Sequence, residues 1–288
     1  AAMTTVFQDE EEIIELNTND TSATPSSFFV PEKGTLKRHV RFFEQCLFES
    51  LPTPYVPLDT NRLTLIHFAV QSLAVLNHNL PLQKRQSIIA WIYSNLFISI
   101  PHPTRPDIQL AGFVGGTFLG PTSRTHPYCH VHIAMTYTAL CTLATLGDDL
   151  STSIIASEKD AILASLTCMQ QTNGSFTSTT SGMANNSEHD MRFVYCACVI
   201  CYLFNDWSTV DTKAIQRYIQ SCRSYDGSIA LLPGQEGHGG STFCAVASLV
   251  LMNATSSILN TNNHWREDLI RWCVHRQQHE EGGGGGGG

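Results

Sequence analysis

The segment SEHDMRFVYCACVICYLF, residues 187–204, decides the fold. It opens on polar residues and then runs for twelve uncharged, largely apolar residues from Phe193 to Phe204. A helix apolar on every face is buried all round, and this run is far short of the ~20 residues that span a bilayer. It reads as the inner member of a layered helical protein. EGHGGSTFCAVASLVLM (236–252) and HPYCHVHIAMTYTALCTLATL (126–146) follow the same plan. Each is preceded by an amphipathic stretch and a glycine turn: AILASLTCMQQTNGSF (161–176), AIQRYIQSCRSYDGSIA (214–230), and IIAWIYSNLF (88–97) with AGFVGGTFLG (111–120). A further unit begins at 268 with DLIRWCVHRQQHEEGG.

The units repeat with a fixed period. Gly174 and Gly227 are 53 residues apart, and Gly227 and Gly282 are 55 apart. Helical hairpins must stack to bury their apolar faces. Apolar second helices shielded by amphipathic first ones predict an all-α protein, an α/α barrel (toroid) of helical hairpins. The periodicity places helices over 36–50, 62–77, 85–98, 131–147, 156–171, 188–206, 211–223, 241–253 and 264–278. Pro52, Pro54 and Pro57 separate the first two, and Pro101, Pro103 and Pro106 end the third. A closed ring of this type needs about six hairpins, so the inner wall is expected to be open near Gly282. The chain is expected to be shortened at its C-terminus or completed by another subunit.

Composition removes several classes. The 288 residues carry 17 Lys+Arg against 25 Asp+Glu, a net charge of −8. Residues 1–34 hold seven of the acids and one base, and read as a disordered acidic leader. The remaining −2 gives no basic face to displace counterions from phosphates, which argues against nucleic-acid binding. Residues 35–281 are the expected partial barrel, and Gly282–Gly288 a flexible tail with nothing to bury. No basic start followed by an apolar stretch suggests secretion, and no membrane span is expected, so the predicted location is cytoplasmic. The ten cysteines lie mostly in apolar runs and read as buried, reduced thiols.

Polar residues recur just before each apolar helix: His130 and His132; Glu188, Asp190 and Arg192; His238 with Gly239 and Gly240. In a barrel these positions share one rim, and convergent polar groups over an apolar cavity make a binding site. Arg192 and His238 suit an anionic group, with the glycine amides able to approach it. The competing reading is that each residue only caps its helix. Asp148-Asp149 reads as a cap for the next helix, and His275 and His279, four apart, as a solvated face. No metal site, phosphate loop or dinucleotide fingerprint is present.

These segments resemble the β subunits of protein prenyltransferases, nearest to the type I geranylgeranyl-transferring members. The resemblance is carried by KRHVRFFEQCL, LDTNRLTLIHFAV, IIAWIYS, HIAMTYTALCTLATLGDDLS, HDMRFVYCACVICYLFNDWS and GHGGSTFCAVASLVLM, from about residue 37 to 278. It implies an α/α barrel paired with a helical α subunit. The implied reaction moves an isoprenoid from geranylgeranyl diphosphate to the cysteine of a C-terminal C-a-a-X motif, preferably with Leu last. By position, His132, Glu188 and Arg192 would read the substrate's terminal carboxylate, largely through water. His238, Gly239 and Gly240 would contact the diphosphate, and Thr64, Tyr137, Tyr195 and Cys244 would line the lipid pocket. Thr64 stands where farnesyl-transferring relatives carry tryptophan, leaving depth for a 20-carbon chain. The family's zinc is bound by an Asp-x-Cys pair and a later His beyond RWC-x-x-RQQ, here Arg271–Gln278; those ligands are absent, so the chain as written is expected not to turn over. A non-catalytic scaffold that binds the α subunit and isoprenoid, and a farnesyltransferase β subunit, are the alternatives. A terpene cyclase is disfavoured because no DxDD or DDxxD cluster appears.

Overall fold

The computed structural model describes residues 33–51, 53–118, 129–181, 188–259 and 264–277. The expected leader, apart from Lys33 and Gly34, and the glycine tail lie outside them. By its internal contacts the chain forms two units, Ala1–Arg38 and His39–Gly288. Of the first, the described part is the start of helix α1 (Lys33–Phe48), where Arg38 Nη2 donates to Thr35 Oγ1 at 3.2 Å. The rest of α1 and all later elements belong to the second unit.

After α1 come a 3-10 helix (Thr53–Asn61), α2 (Arg62–Val75), α3 (Leu82–Leu96), strands β1 (Phe97–Pro101) and β2 (Gln109–Phe113), α4 (Ile133–Thr145), α5 (Ile154–Met169), α6 (Met191–Leu203), α7 (Thr212–Ser221), α8 (Gly239–Leu251), α9 (Thr255–Leu259) and α10 (Trp265–His275). The all-α expectation holds: each of the nine expected helices is present, to within a few residues. The apolar helices pack side by side in the order α2, α4, α6, α8. In α6, Met191, Phe193, Val194 and every residue from Cys196 to Cys201 are buried, as an inner position requires. In α7 only the stripe Ala214, Ile215, Tyr218 and Ile219 is buried, the pattern of an outer helix.

Each inner helix stops in the same way. Asn77, Gly147, Asn205 and Asn253 all have φ between 48° and 85°, and each lies two residues past its helix end. The next amide then reaches back across the last turn: His78 to Leu73 O, Asp148 to Leu143 O, Asp206 to Cys201 O and Ala254 to Leu249 O, at 2.8–3.0 Å. This is the Schellman closure, which satisfies carbonyls the helix leaves open.

The glycine turns seat one hairpin against the next. Gly174 (φ +94°) and Gly227 (φ +86°) adopt a left-handed conformation. A methyl group on Gly174 would strike the Ala214 backbone in α7, and one on Gly227 would strike Asp268 in α10. Asn173 Oδ1 and Asp226 Oδ1 accept from the amides of Ser175 and Ser228 at 2.9 and 3.1 Å, closing both turns alike.

The 3-10 helix, the short α9 and a two-stranded ribbon were not in the sequence reading. α3 ends at Leu96, and the chain turns into an antiparallel ribbon with Phe97 opposite Phe113 and Pro101 opposite Gln109. Ser165 Oγ of α5 holds β2 through the amide and carbonyl of Ala111 at 3.0 and 2.9 Å. The prolines expected to end the helix instead mask the strand, because Pro101 lies on the two-stranded edge where no amide is required.

Candidate functional site

Three inner helices begin with one device. His132, Asp190 and His238 are the N-caps of α4, α6 and α8. His132 Nδ1 accepts from Ala134 N at 3.2 Å, Asp190 Oδ1 from Arg192 N at 2.9 Å and His238 Nδ1 from Gly240 N at 3.0 Å. Capping is thus part of what these residues do. A histidine accepting at Nδ1 carries its proton at Nε2, leaving a donor on the far side of the ring. His130 stands two residues before the cap, outside the helix.

The caps of α4 and α6 belong to one polar cluster. Arg192 donates through Nε and Nη2 to both oxygens of Asp190, with Nε–Oδ1 at 2.9 Å and Nη2–Oδ2 at 2.6 Å. Its Nη2 is 3.6 Å from Glu188 Oε2. The guanidinium lies over the Phe193 ring at 5.4 Å, and the His132 ring meets Phe193 edge-on at 6.3 Å. Burial pulls the His132 imidazole below its ordinary value, against the field of Glu188. The Asp190 hydrogen bonds hold the Arg192 proton still more firmly. His132, Glu188 and Arg192 are therefore brought together, around a buried Asp190 and a buried Phe193.

An aromatic row crosses the inner helices. Tyr137, Tyr195 and Phe243 are the fifth residues of α4, α6 and α8, with T-shaped ring contacts of 5.6 Å from Tyr137 to Tyr195 and from Tyr195 to Phe243. His67 of α2 extends the row, 6.1 Å from Tyr137, and its Nδ1 is 3.0 Å from Thr142 Oγ1. Burial raises both tyrosine pKa values and lowers that of His67. Thr64 lies one turn before His67, its Oγ1 3.8 Å from Met135 Sδ. Cys244 is half-buried beside the row, its thiol pushed up to about 11 by burial and by Asp190, against Arg192.

The row ends in a cleft. α8 and α10 bound a space of about 650 Å³ lined by His238, Gly239, Phe243, Trp272, Cys273 and Arg276. Phe243 is 61 % exposed there. A methyl group on Gly239 would meet nothing within 4 Å, whereas one on Gly240 would crowd the His238 ring at 3.2 Å. Packing of the fold therefore does not require glycine at 239. Arg276 stacks on Trp272 at 5.0 Å, 4.0 Å from Asp226. The sequence reading missed Phe243, Phe193 and Arg276. The in-phase fifth position would have found Phe243.

Other expectations need correction. The N-cap of α5 is Ser153. Asp149 instead accepts from Ser151 N and from the Ser151 and Thr152 hydroxyls, and Asp148 accepts from Tyr93 at 2.5 Å. His275 Nδ1 sits 2.8 Å from Arg271 O, while His279 lies outside the described residues. None of the ten cysteines forms a disulfide, and six are buried, but Cys46, Cys168 and Cys244 are only half-buried and Cys273 is exposed. Among the described residues no three His, Cys, Asp or Glu side chains converge closely enough to hold a metal. No described helix is long and apolar enough to cross a membrane.

Comparison with known proteins gives a consistent picture. The prenyltransferase α-α toroid domain matches residues 35–287. The geranylgeranyl transferase type-1 subunit beta of Arabidopsis thaliana is 35% identical over 253 residues, covering 83% of this chain and 64% of the relative. That of Dictyostelium discoideum is 36% identical over 252 residues, covering 82% and 67%. The chain therefore spans about two thirds of the length of these relatives. A solved structure of Candida albicans protein geranylgeranyltransferase-I complexed with GGPP superposes with a TM-score of 0.67 at 24% identity, over 85% of this chain and 65% of the other. It shares the fold.

Proposed function

Because the chain belongs to the prenyltransferase family of α-α toroids, we propose that it acts as the β subunit of a type I protein geranylgeranyltransferase. The enzyme would be a cytoplasmic heterodimer with a helical α subunit. It would transfer a geranylgeranyl group from its diphosphate to the cysteine of a C-a-a-X protein ending in Leu. The observation that carries this reading is the continuity of two sites. A row of rings from His67 through Tyr137 and Tyr195 to Phe243 opens into the cleft at His238 and Gly239. The row suits an isoprenoid chain and the cleft its diphosphate.

Each group then has a task. His238 donates from Nε2 to the diphosphate, while Gly239 lets that group approach the positive end of α8. Thr64, Tyr137, Tyr195 and Cys244 border the lipid, and Thr64 leaves room at its far end. His132, Glu188 and Arg192 read the terminal carboxylate of the protein substrate. In the reaction the cysteine thiol releases its proton to solvent, its sulfur bonds to the first isoprenoid carbon, the carbon–oxygen bond breaks, and diphosphate leaves. A zinc ion would supply a lowered thiol pKa, and no described residue is assigned to hold it. The described residues bind and orient the two substrates.

The test is transfer of labelled isoprenoid to a peptide ending Cys-a-a-Leu, by the full-length subunit purified with its α partner. Geranylgeranyl transfer with stoichiometric zinc supports the reading. Preferential farnesyl transfer makes the protein a farnesyltransferase subunit. Lipid binding without zinc or transfer makes it a scaffold.

A further inference from the structure

Arg192 is gripped along one edge. Asp190 takes its Nε and Nη2 on two carboxylate oxygens, and the same carboxylate accepts the Arg192 backbone amide at the start of α6. One buried carboxylate thus ties together the helix cap and the side chain two residues on. Phe193 supports the guanidinium from below. Asp190 is 7 % exposed, whereas the Arg192 side chain is 54 % exposed. The side chain is anchored at its base and open at its tip, and Nη1 has no ion-pair or hydrogen-bond partner among the described residues. The grip removes the rotamer freedom of a free arginine side chain before any ligand arrives.

We propose that Asp190 is a positioning residue for protein substrate: it fixes Arg192 so that Nη1 faces the substrate's terminal carboxylate. The inference rests on the reading of Arg192 given above. A second effect opposes it, because Asp190 also neutralises the charge that attracts the carboxylate. Positioning outweighs neutralisation for two reasons. Arg192 is half-exposed, so solvent already screens its charge. Glu188 Oε2 is 3.6 Å from Nη2, so a guanidinium released by Asp190 still has a carboxylate beside it and loses its fixed orientation without becoming an unpaired charge.

The experiment uses the full-length subunit with its α partner and the Asp190→Asn substitution. Asparagine caps a helix as well as aspartate does, so α6 keeps its start while the charged fork is lost. The readouts are kcat and KM for a Cys-a-a-Leu peptide, and competition by peptides ending in a free carboxylate or an amide. The expected result is a KM raised about tenfold, kcat within about twofold, and a carboxylate-over-amide preference reduced by the same factor as KM. Arg192→Lys keeps the charge without the fork and is expected to match it. Unchanged KM and preference would leave Asp190 as a cap alone and overturn the proposal. So would tighter peptide binding, which means neutralisation wins. If the wild-type complex transfers lipid but does not distinguish carboxylate from amide, the assignment of Arg192 fails and the proposal with it; if it transfers nothing, the functional reading itself fails.

Discussion

Gly239 is the residue at which structural and functional demands separate most cleanly. Its Cβ would point into open space, so Gly239→Ala removes backbone freedom from the unfolded chain at no steric cost. The substitution is expected to stabilise the fold by about 0.5 kcal/mol. Yet a methyl group there occupies the space through which a diphosphate would approach the α8 amides, so geranylgeranyl diphosphate affinity should fall. A urea midpoint and a lipid titration on one variant check both; affinity unchanged in a stabilised variant would remove Gly239 from the site. His67 and His132 make a pH prediction. Burial holds both below the unfolded value of 6.5, so the folded state binds fewer protons than the unfolded state just below that pH. Stability is therefore full above 6.5 and declines as pH falls through the depressed folded values. His67→Phe keeps a ring in the row and should flatten the fall below pH 6.5, measured by urea midpoints; an equally steep fall would show that His67 does not contribute. These residues differ in how readable they were. His132 and His238 could be read from the sequence because a polar residue before an apolar helix is a local signal. Phe193 and Arg276 could not, because ring stacking and the lining of a cleft depend on a neighbour far along the chain.

The elements were legible where one helix decides its own fate and illegible where two must meet. The 3.6-residue periodicity placed α4, α6 and α8 because burial on all sides appears within a single run. The ribbon of β1 and β2 was not visible: Phe97–Pro101 is five residues long, and its partner lies beyond three prolines. The shared helix ending was hidden for another reason. A sequence reader looks for glycine past a helix, but three of the four closures use asparagine at Asn77, Asn205 and Asn253. Asparagine tolerates the left-handed conformation better than other residues with a β-carbon. Asn253→Ala is therefore expected to cost about 1 kcal/mol, and Asn253→Gly to be neutral or slightly stabilising. Chemical denaturation of the two variants decides this, and equal stability would rule out conformational strain as the cause. Gly174→Ala is more severe, because the methyl group meets the backbone of α7. It should cost more than about 3 kcal/mol and lower soluble yield sharply, whereas the same change at Gly234, with nothing within 4 Å, carries only the strain of its positive φ.

At the scale of the whole molecule, inner helices in register turn separate local features into one path. α4, α6 and α8 each contribute one polar start and one ring, so a cap at the rim and an aromatic wall below it arise from the repeat itself. If a lipid follows that path, its length should be read at the α2 end, where Thr64 and His67 sit, and its charge at the α8 end, where His238 sits. Binding then couples both ends to global stability. A ligand at about 100 times its dissociation constant stabilises the native state by about 2.7 kcal/mol, which for a domain of this size raises Tm by roughly 5–10 °C. Geranylgeranyl diphosphate should give a larger shift than farnesyl diphosphate at equal concentration, because its longer chain takes more carbon out of water at ~0.8 kcal/mol for each buried methylene. Thr64→Trp fills the far end of the path. It should lower the geranylgeranyl shift and leave the farnesyl shift near that of the wild type, reversing the preference between the two lipids. The melting temperatures of the two proteins with the two lipids test this arrangement. Equal losses for both lipids would place Thr64 on the common part of the path, and no loss for either would place the lipid elsewhere.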